Sequence, residues 1–413
     1  MRRANNQDSL AVVLADEAQW QRRGHFFMVA DGMGAHAAGE LASQLATEGV
    51  PHNYLKLRDL PPPAALRRAI RKANQTIHSK GQSSGEFHGM GTTCSCLLLL
   101  PRAALAGHVG DSRVYRLRGS RLEQLTFDHS LVWEMAAASQ MDAGDVPACI
   151  PKNVITRSLG PHQTVNIDLE GPFDTAPGDV FLLCSDGLTT VVDDQLLGAV
   201  LNTHSPQEAV QTLVDLANLR GGPDNISVIV VRIAEDVHPG PASVAPSPEL
   251  RNRRGEVHPA IWLSIAASLA AVVWTAYAGH NLGLALSAVA LGASATIALL
   301  QRFAPPTTPS EIAWGGPYGN GPYRYVESVL DDAAVAALRS VVDQLAELKD
   351  KGTFPVNGDA PIDWQPFETA RLAASASTEP RQVIQHYSAA IRMLMVEVRR
   401  HRRGNHRDDD RVV

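Results

Sequence analysis

Short apolar runs bounded by glycine, proline or aspartate recur through the first 234 residues. They are Leu10 to Ala15, Phe26 to Ala30, Cys94 to Leu100, Ala103 to Val109, Val114 to Arg118, Val180 to Cys184 and Ile226 to Ile233. Runs of this length and punctuation predict β-strands. Between them the period changes. Leu66, Ile70, Ala73 and Ile77 recur at helical spacing with Arg67, Arg68, Arg71 and Lys72 opposite, which predicts an amphipathic helix, and Glu40 to Val50 predicts another. Strands, then helices, then strands imply an α+β arrangement in layers.

The pattern differs after residue 234. Residues 235 to 259 contain P-G-P-A-S-V-A-P-S-P, which offers no core residues and predicts a linker. Ala260 to Ala278 and Leu282 to Leu300 carry no charged residue, and each approaches the roughly 20 residues that span a bilayer as a helix. Gly279-His280-Asn281 forms a polar turn between them. Arg251, Arg253 and Arg254 precede the pair, Arg302 follows it, and Trp262, Trp274 and Tyr277 lie near the ends of the first segment. The expectation is a transmembrane hairpin over 260–302 with both flanks on the cytoplasmic side. The alternative is a buried helix pair in a soluble domain.

Beyond it, A-P-P-T-T-P and G-G-P-Y-G-N-G-P-Y predict an irregular connection into a small helical region, 303–413. One apolar face there carries Leu338, Val341, Val342, Leu345 and Leu348. Another carries Ile384, Tyr387, Ile391, Leu394, Met395 and Val398, and the two are expected to pack together. Arg399 to Arg403 reads as a solvated helix end, with anionic lipid headgroups as the other reading.

Composition narrows the function classes. A net charge near −6 and a pI near 6.2 argue against a nucleic-acid binder, which needs a basic face. Four cysteines are too few for a disulfide scaffold and suit a reducing compartment. The N-terminus shows no basic segment leading into an apolar one, so the first half is expected to be cytoplasmic.

The candidate chemistry lies in five aspartates: Asp8 in N-N-Q-D, Asp31 in A-D-G-M-G, Asp111 in V-G-D-S-R, Asp186 in C-S-D-G and Asp224 in G-G-P-D-N. Most adjoin a predicted strand, so they can converge on one edge of a sheet. Carboxylates so gathered raise one another's pKa unless cations neutralise them, and oxygen ligands suit Mg²⁺ or Mn²⁺. Any one of these aspartates alone is more often a turn or cap residue.

Taken in order, R-A-N-N-Q-D (Arg3 to Asp8), D-G-M-G-A-H-A-A-G-E (Asp31 to Glu40), G-M-G-T-T (Gly89 to Thr93), G-D-S-R (Gly110 to Arg113), I-T-R-S-L-G (Ile155 to Gly160), S-D-G-L (Ser185 to Leu188) and G-G-P-D-N (Gly221 to Asn225) resemble the metal-dependent protein phosphatase family, protein phosphatase 2C or PPM, in its bacterial form. The resemblance covers about residues 1–234. It implies two central antiparallel β-sheets sandwiched by helix pairs, with metals at one end. It also implies hydrolysis of phosphoserine and phosphothreonine on proteins by a metal-activated water, without a phosphoenzyme. Asp31 would bridge two metals and Gly32 would ligate through its carbonyl. Asp186 and Asp224 would complete one metal's shell, Asp8 would reach the other, and Asp111 matches a third, weaker site. Arg3 would grip the substrate phosphate. With the hairpin, this places the enzyme at the bacterial cytoplasmic membrane, in contact with the lipid bilayer, opposing Ser/Thr kinases and acting on phosphorylated proteins.

Thr92 and Thr93 read as turn-to-strand residues. His129 opens a segment, reaching to Ile155, that resembles the family's flap, and it is expected to be structural or flap-related. Three departures stand out. Gln7 replaces a common Glu, which removes a charge near the metals. Met33 stands where animal relatives carry a histidine proposed as general acid, and His36 does not inherit that role. The family has a further strand before the arginine motif, so either an edge strand is missing or the start is misassigned. A silent phosphatase fold serving as a binding module is the competing class. A transporter is weak, because the spans hold no charged residue.

Overall fold

The protein is described from a computed structural model. It describes residues 5–35, 37–141, 145–147, 149–151, 154–234, 259–279, 281–303, 316–351 and 362–409. Arg3 and the linker, apart from its last residue, Pro259, lie outside these. The chain forms two compact units, one of residues 1–237 with 316–413 and one of residues 238–315.

The larger unit holds two antiparallel sheets, as the resemblance implies. In the first, β1 (Asp8–Val13), β2 (His25–Met33), β4 (Cys94–Leu100), β5 (Ala103–Val109) and β8 (Asp168–Asp174) lie in the order β1-β2-β4-β5-β8, and the short β3 (Gly91–Thr92) pairs with β2. In the second, β6 (Arg113–Arg118), β7 (Arg121–Gln124), β9 (Val180–Cys184), β10 (Val228–Arg232) and β11 (Arg324–Glu327) lie in the order β10-β9-β6-β7-β11. Period-2 alternation divides the central strands between two cores. Phe27, Val29, Leu97, Leu99, Val114, Phe181 and Leu183 meet between the sheets. Phe26, from the other face of β2, meets Tyr54 of the outer helix layer at 5.9 Å between ring centroids.

Helix α1 (Glu17–Arg23) is short. The outer layer on the first sheet is α2 (Ala38–Lys56) and α3 (Pro62–Gln82), and α3 buries Leu66, Ile70, Ala73 and Ile77 as the period predicts. After α4 (Leu131–Ser139) and α5 (Asp186–Thr189), the second sheet is covered by α6 (Asp194–Thr203) and α7 (Pro206–Leu219). Ser205 starts α7 with a capping box: its side chain accepts from the Glu208 N–H while Glu208 reaches back to the Ser205 N–H.

The smaller unit contains α8 (Pro259–Tyr277) and α9 (Asn281–Phe303), which pack on each other. The predicted helix pair is therefore present, but the transmembrane assignment and the multi-pass membrane localisation are corrected. Among the described residues, no helix is long and apolar enough to cross a membrane. Absence of charge is not the same as apolarity. These segments are rich in alanine, serine and glycine, which bring little apolar area per residue. Their inner faces also join through hydroxyls: Ser264 Oγ donates to Ser294 Oγ at 3.2 Å, and Thr275 and Ser287 share a bond at 3.4 Å.

The C-terminal helices α10 (Asp332–Asp350), α11 (Gln365–Ala376) and α12 (Pro380–Asp409) belong to the larger unit. The faces of α10 and α12 do meet each other. They also share one core with α6 and α7, in which Leu338, Val342, Ile384 and Leu394 are buried with Leu197, Val200 and Leu213.

Candidate metal centre

The register of the first sheet sets Asp8 opposite Asp31 across β1 and β2. Asp186 follows the last residue of β9, which pairs with Val228 of β10, and Asp224 lies just ahead of that strand. Asp111 sits in the turn that carries the chain from β5 in one sheet to β6 in the other. The two sheets therefore present their carboxylates at one end of the sandwich. Four of the five influence one another directly: Asp8, Asp111 and Asp186 all act on Asp31. Asp224 acts on Asp8 and Asp186.

Removal from water and mutual repulsion make this cluster reluctant to ionise. Burial, followed by its neighbours' charges, pushes Asp31 up to about 10. Burial pushes Asp111 up to about 8 and Asp8 up to about 6, and it raises Asp186. One buried oxygen on each of Asp8, Asp111 and Asp186 accepts no hydrogen bond. Buried carboxylate oxygens left without hydrogen bonds are what a hard cation satisfies. Among the described residues, no three acidic, histidine or cysteine side chains stand together so that they could hold one metal ion. Magnesium-type sites keep several waters and take few protein oxygens, so the donor set present still suits them.

The backbone beneath these carboxylates is held by hydroxyls. Asp31 N–H donates to Thr93 Oγ1 at 2.8 Å, Thr92 Oγ1 donates to Asp31 O at 2.9 Å, and Thr93 shares a 2.7 Å bond with Ser112. Ser185 Oγ donates to Asp8 Oδ2 at 2.7 Å and accepts from Ser227 N–H at 3.0 Å. Sequence reasoning gave the threonines no such task and passed over Ser185. The signal available was their place inside the motifs. Gly32 is required by close approach, since a Cβ there would run into the carbonyls of Gly39 and Gln7. Gln7 Nε2 donates to Gly34 O at 3.2 Å, a bond that a glutamate in its place could not make.

His129 clamps the Asp111 turn from behind. Its N–H donates to Gly110 O at 2.7 Å, and its Nδ1 accepts from Gly110 N–H at 3.0 Å. That leaves Nε2 to donate to Asp168 Oδ2 at 2.8 Å, and Arg157 Nη1 donates to Asp168 Oδ1 at 3.2 Å. The far end of the same segment returns to the site, where Leu159 and Thr92 exchange backbone bonds. His129 is therefore tied beside Asp111 and Leu159 beside Asp31, and the described residues between these two ends are called the rim below. His129 opens this stretch, and its hydrogen bonds hold the Gly110 backbone and Asp168.

The two-sheet fold and the grouped aspartates fit the metal-dependent phosphatase class, and comparison shows the family. The model of the family described as Protein phosphatase 2C matches residues 2–217, and the chain belongs to that family. It is 34% identical over 241 residues to Protein phosphatase PhpP of Streptococcus pneumoniae, covering 57% of this chain and 94% of that protein. The crystal structure of serine/threonine phosphatase Stp1 from Staphylococcus aureus superposes with a TM-score of 0.50 at 29% identity, covering 56% of this chain and 90% of that one. A structure of the catalytic domain of serine/threonine protein phosphatase PstP, described as in complex with 2 manganese ions, gives a TM-score of 0.47 at 32% identity over 57% of this chain and 94% of that one. The protein is accordingly a protein serine/threonine phosphatase.

Proposed function

We propose that the protein hydrolyses phosphoserine and phosphothreonine on proteins with Mn²⁺ or Mg²⁺ at the Asp8, Asp31, Asp111, Asp186 and Asp224 cluster, and that its substrates are phosphorylated by Ser/Thr kinases. The observation that carries this is that Asp8, Asp111 and Asp186 each keep a buried carboxylate oxygen with no hydrogen bond. Bound divalent ions would supply Lewis-acid charge against the phosphoryl oxygens and lower the pKa of a coordinated water.

The residues have distinct tasks in this reading. Asp31, central to the cluster and acted on by Asp8, Asp111 and Asp186, is suited to share two ions. Gly32 leaves its backbone unobstructed. Asp186 and Asp224 would serve one ion, Asp8 the other, and Asp111 a further, weaker one. Thr92, Thr93 and Ser185 fix the backbone and carboxylates so that little reorganisation accompanies the reaction. Arg3, five residues before Asp8, is proposed to hold the phosphate with its guanidinium fork. The test is hydrolysis of a phosphothreonine peptide by the full chain with Mn²⁺. Loss of turnover in EDTA and its return with excess Mn²⁺ are expected. Undiminished turnover in EDTA would sink the metal reading.

A further inference from the structure

The Gly- and Pro-rich stretch from Gly316 to Tyr323 runs beside β8, the edge strand of the first sheet, on its way to β11. Tyr318 and Gly171 exchange backbone hydrogen bonds at 2.6 and 3.0 Å. The stretch then closes over Glu170, a buried carboxylate of β8. Gly321 N–H donates to Glu170 Oε2 at 3.0 Å, and Tyr323 Oη donates to Glu170 Oε1 at 2.7 Å. Gly319 has φ of +67°, and any Cβ there would strike the same carboxylate.

Tyr323 reaches toward the site by two routes. Its ring stands edge-on to Phe127 at 5.4 Å, and Phe127 stands perpendicular to Trp133 of α4 at 5.3 Å, with His129 at 6.4 Å. The Arg113 guanidinium lies 5.6 Å from the Trp133 ring and is itself fixed to Asp128. The second route runs through β8. Glu170 and Asp168 are two residues apart, hence on one face of the strand, and Asp168 holds His129 and Arg157. Both routes end on the rim that starts at His129, whose exposed apolar residues include Met135 and Met141. A phosphoprotein that presents its phosphate to the carboxylates must meet this rim. A small aryl phosphate need not.

We propose that Tyr323 is a positioning residue: from the C-terminal region it sets the placement of α4 and the rim, and thereby selects for protein over small-molecule phosphoesters. This rests on the phosphatase reading above. Removing the ring takes away an aromatic contact of the order that changes an equilibrium about fivefold.

The experiment compares the full chain with Tyr323→Ala and Tyr323→Phe. In Tyr323→Ala, KM for a phosphothreonine peptide should rise about fivefold with kcat within about twofold, while kinetics on p-nitrophenyl phosphate stay within about twofold. Tyr323→Phe keeps the ring on Phe127 and should restore most of the peptide KM. Hydrogen exchange gives a reading that needs no turnover: amides of 131–139 should exchange about fivefold faster in Tyr323→Ala while those of 94–100 are unchanged. Equal losses on both substrates, or unchanged exchange in 131–139, would overturn the proposal. Should the parent chain hydrolyse neither substrate, the phosphatase reading fails, and the exchange measurement still decides whether Tyr323 places the rim.

Discussion

Strand β9 separates two opposite treatments of buried acid. Just before it, Asp179 is gripped by Arg118 through a two-pronged pair at 2.8 and 2.7 Å and also accepts from Ala176 N–H. Just after it, Asp186 meets Asp31 and the field of Asp224, and one of its oxygens is left without a bond. The same division holds across the sheet, where Arg116 neutralises Glu123 at 2.6 Å. For Asp179 and Glu123, which serve the fold, the chain supplies a guanidinium. At the functional end it supplies mostly more acid, which leaves the counter-charge to come from solution.

Substitution should separate the two ends most sharply. Asp31→Asn is expected to lower kcat/KM on a phosphothreonine peptide by about 10³-fold or more, while raising the melting temperature of the metal-free protein because a repelling buried carboxyl is gone. Asp179→Asn should do the reverse, costing about 1–2 kcal/mol because Arg118 is partly exposed, with kcat retained. Parallel losses of activity and stability in both variants would erase the distinction.

Metal should act on one end only. At a concentration 100 times its Kd, Mn²⁺ should stabilise the protein by about 2.7 kcal/mol, read by thermal unfolding, and this gain should vanish in Asp31→Asn. The pH dependence follows in sign. Asp8, Asp111 and Asp31 are raised on folding to about 6, 8 and 10, so the folded state holds protons that the unfolded state has released. Their contribution is present in full below the ordinary carboxylate range and is lost as pH climbs through these values. Metal-free protein should therefore melt lower at pH 8 than at pH 5, and saturating Mn²⁺ should flatten that slope. A metal-free profile flat across this range would contradict the cluster's electrostatics. The smallest effect is expected for Gln7→Glu, which adds charge near the cluster but gives up the bond to Gly34 O. Mn²⁺ affinity by calorimetry should tighten about threefold.

Much of this was legible in the chain. The seven apolar runs fall on strands, and α2 and α3 occupy their predicted positions, because a sheet or helix half-buried in water leaves its period in the sequence. The five aspartates were legible as an ordered set, and the other four act on Asp31 or on its neighbours. Strands β7 and β8 were not foreseen: Arg121-Leu-Glu-Gln and Asp168-Leu-Glu-Gly-Pro-Phe-Asp are polar sequences whose charges are paired in place rather than excluded. The connection around Tyr323 reads as irregular because its partner, Glu170, is remote in sequence and polar. The hairpin misled for a related reason, since missing charge is visible in a sequence and insufficient apolar area is less so. Arg3 lies outside the described residues.

The larger unit is assembled from two stretches of chain, 1–237 and 316–413, with 238–315 emerging between them. Its second sheet receives an edge strand, Arg324–Glu327 on β7, only from the later stretch. During synthesis, most of the catalytic machinery is thus made long before its sheet can be finished, and the apolar faces of α6 and α7 wait for α10 and α12. Premature termination anywhere before that last stretch would leave those faces bare, a ready surface for chaperones or aggregation. A cut between residues 304 and 315 in the finished protein would have little effect by comparison, because the severed C-terminal portion remains bound through a shared core and a shared sheet.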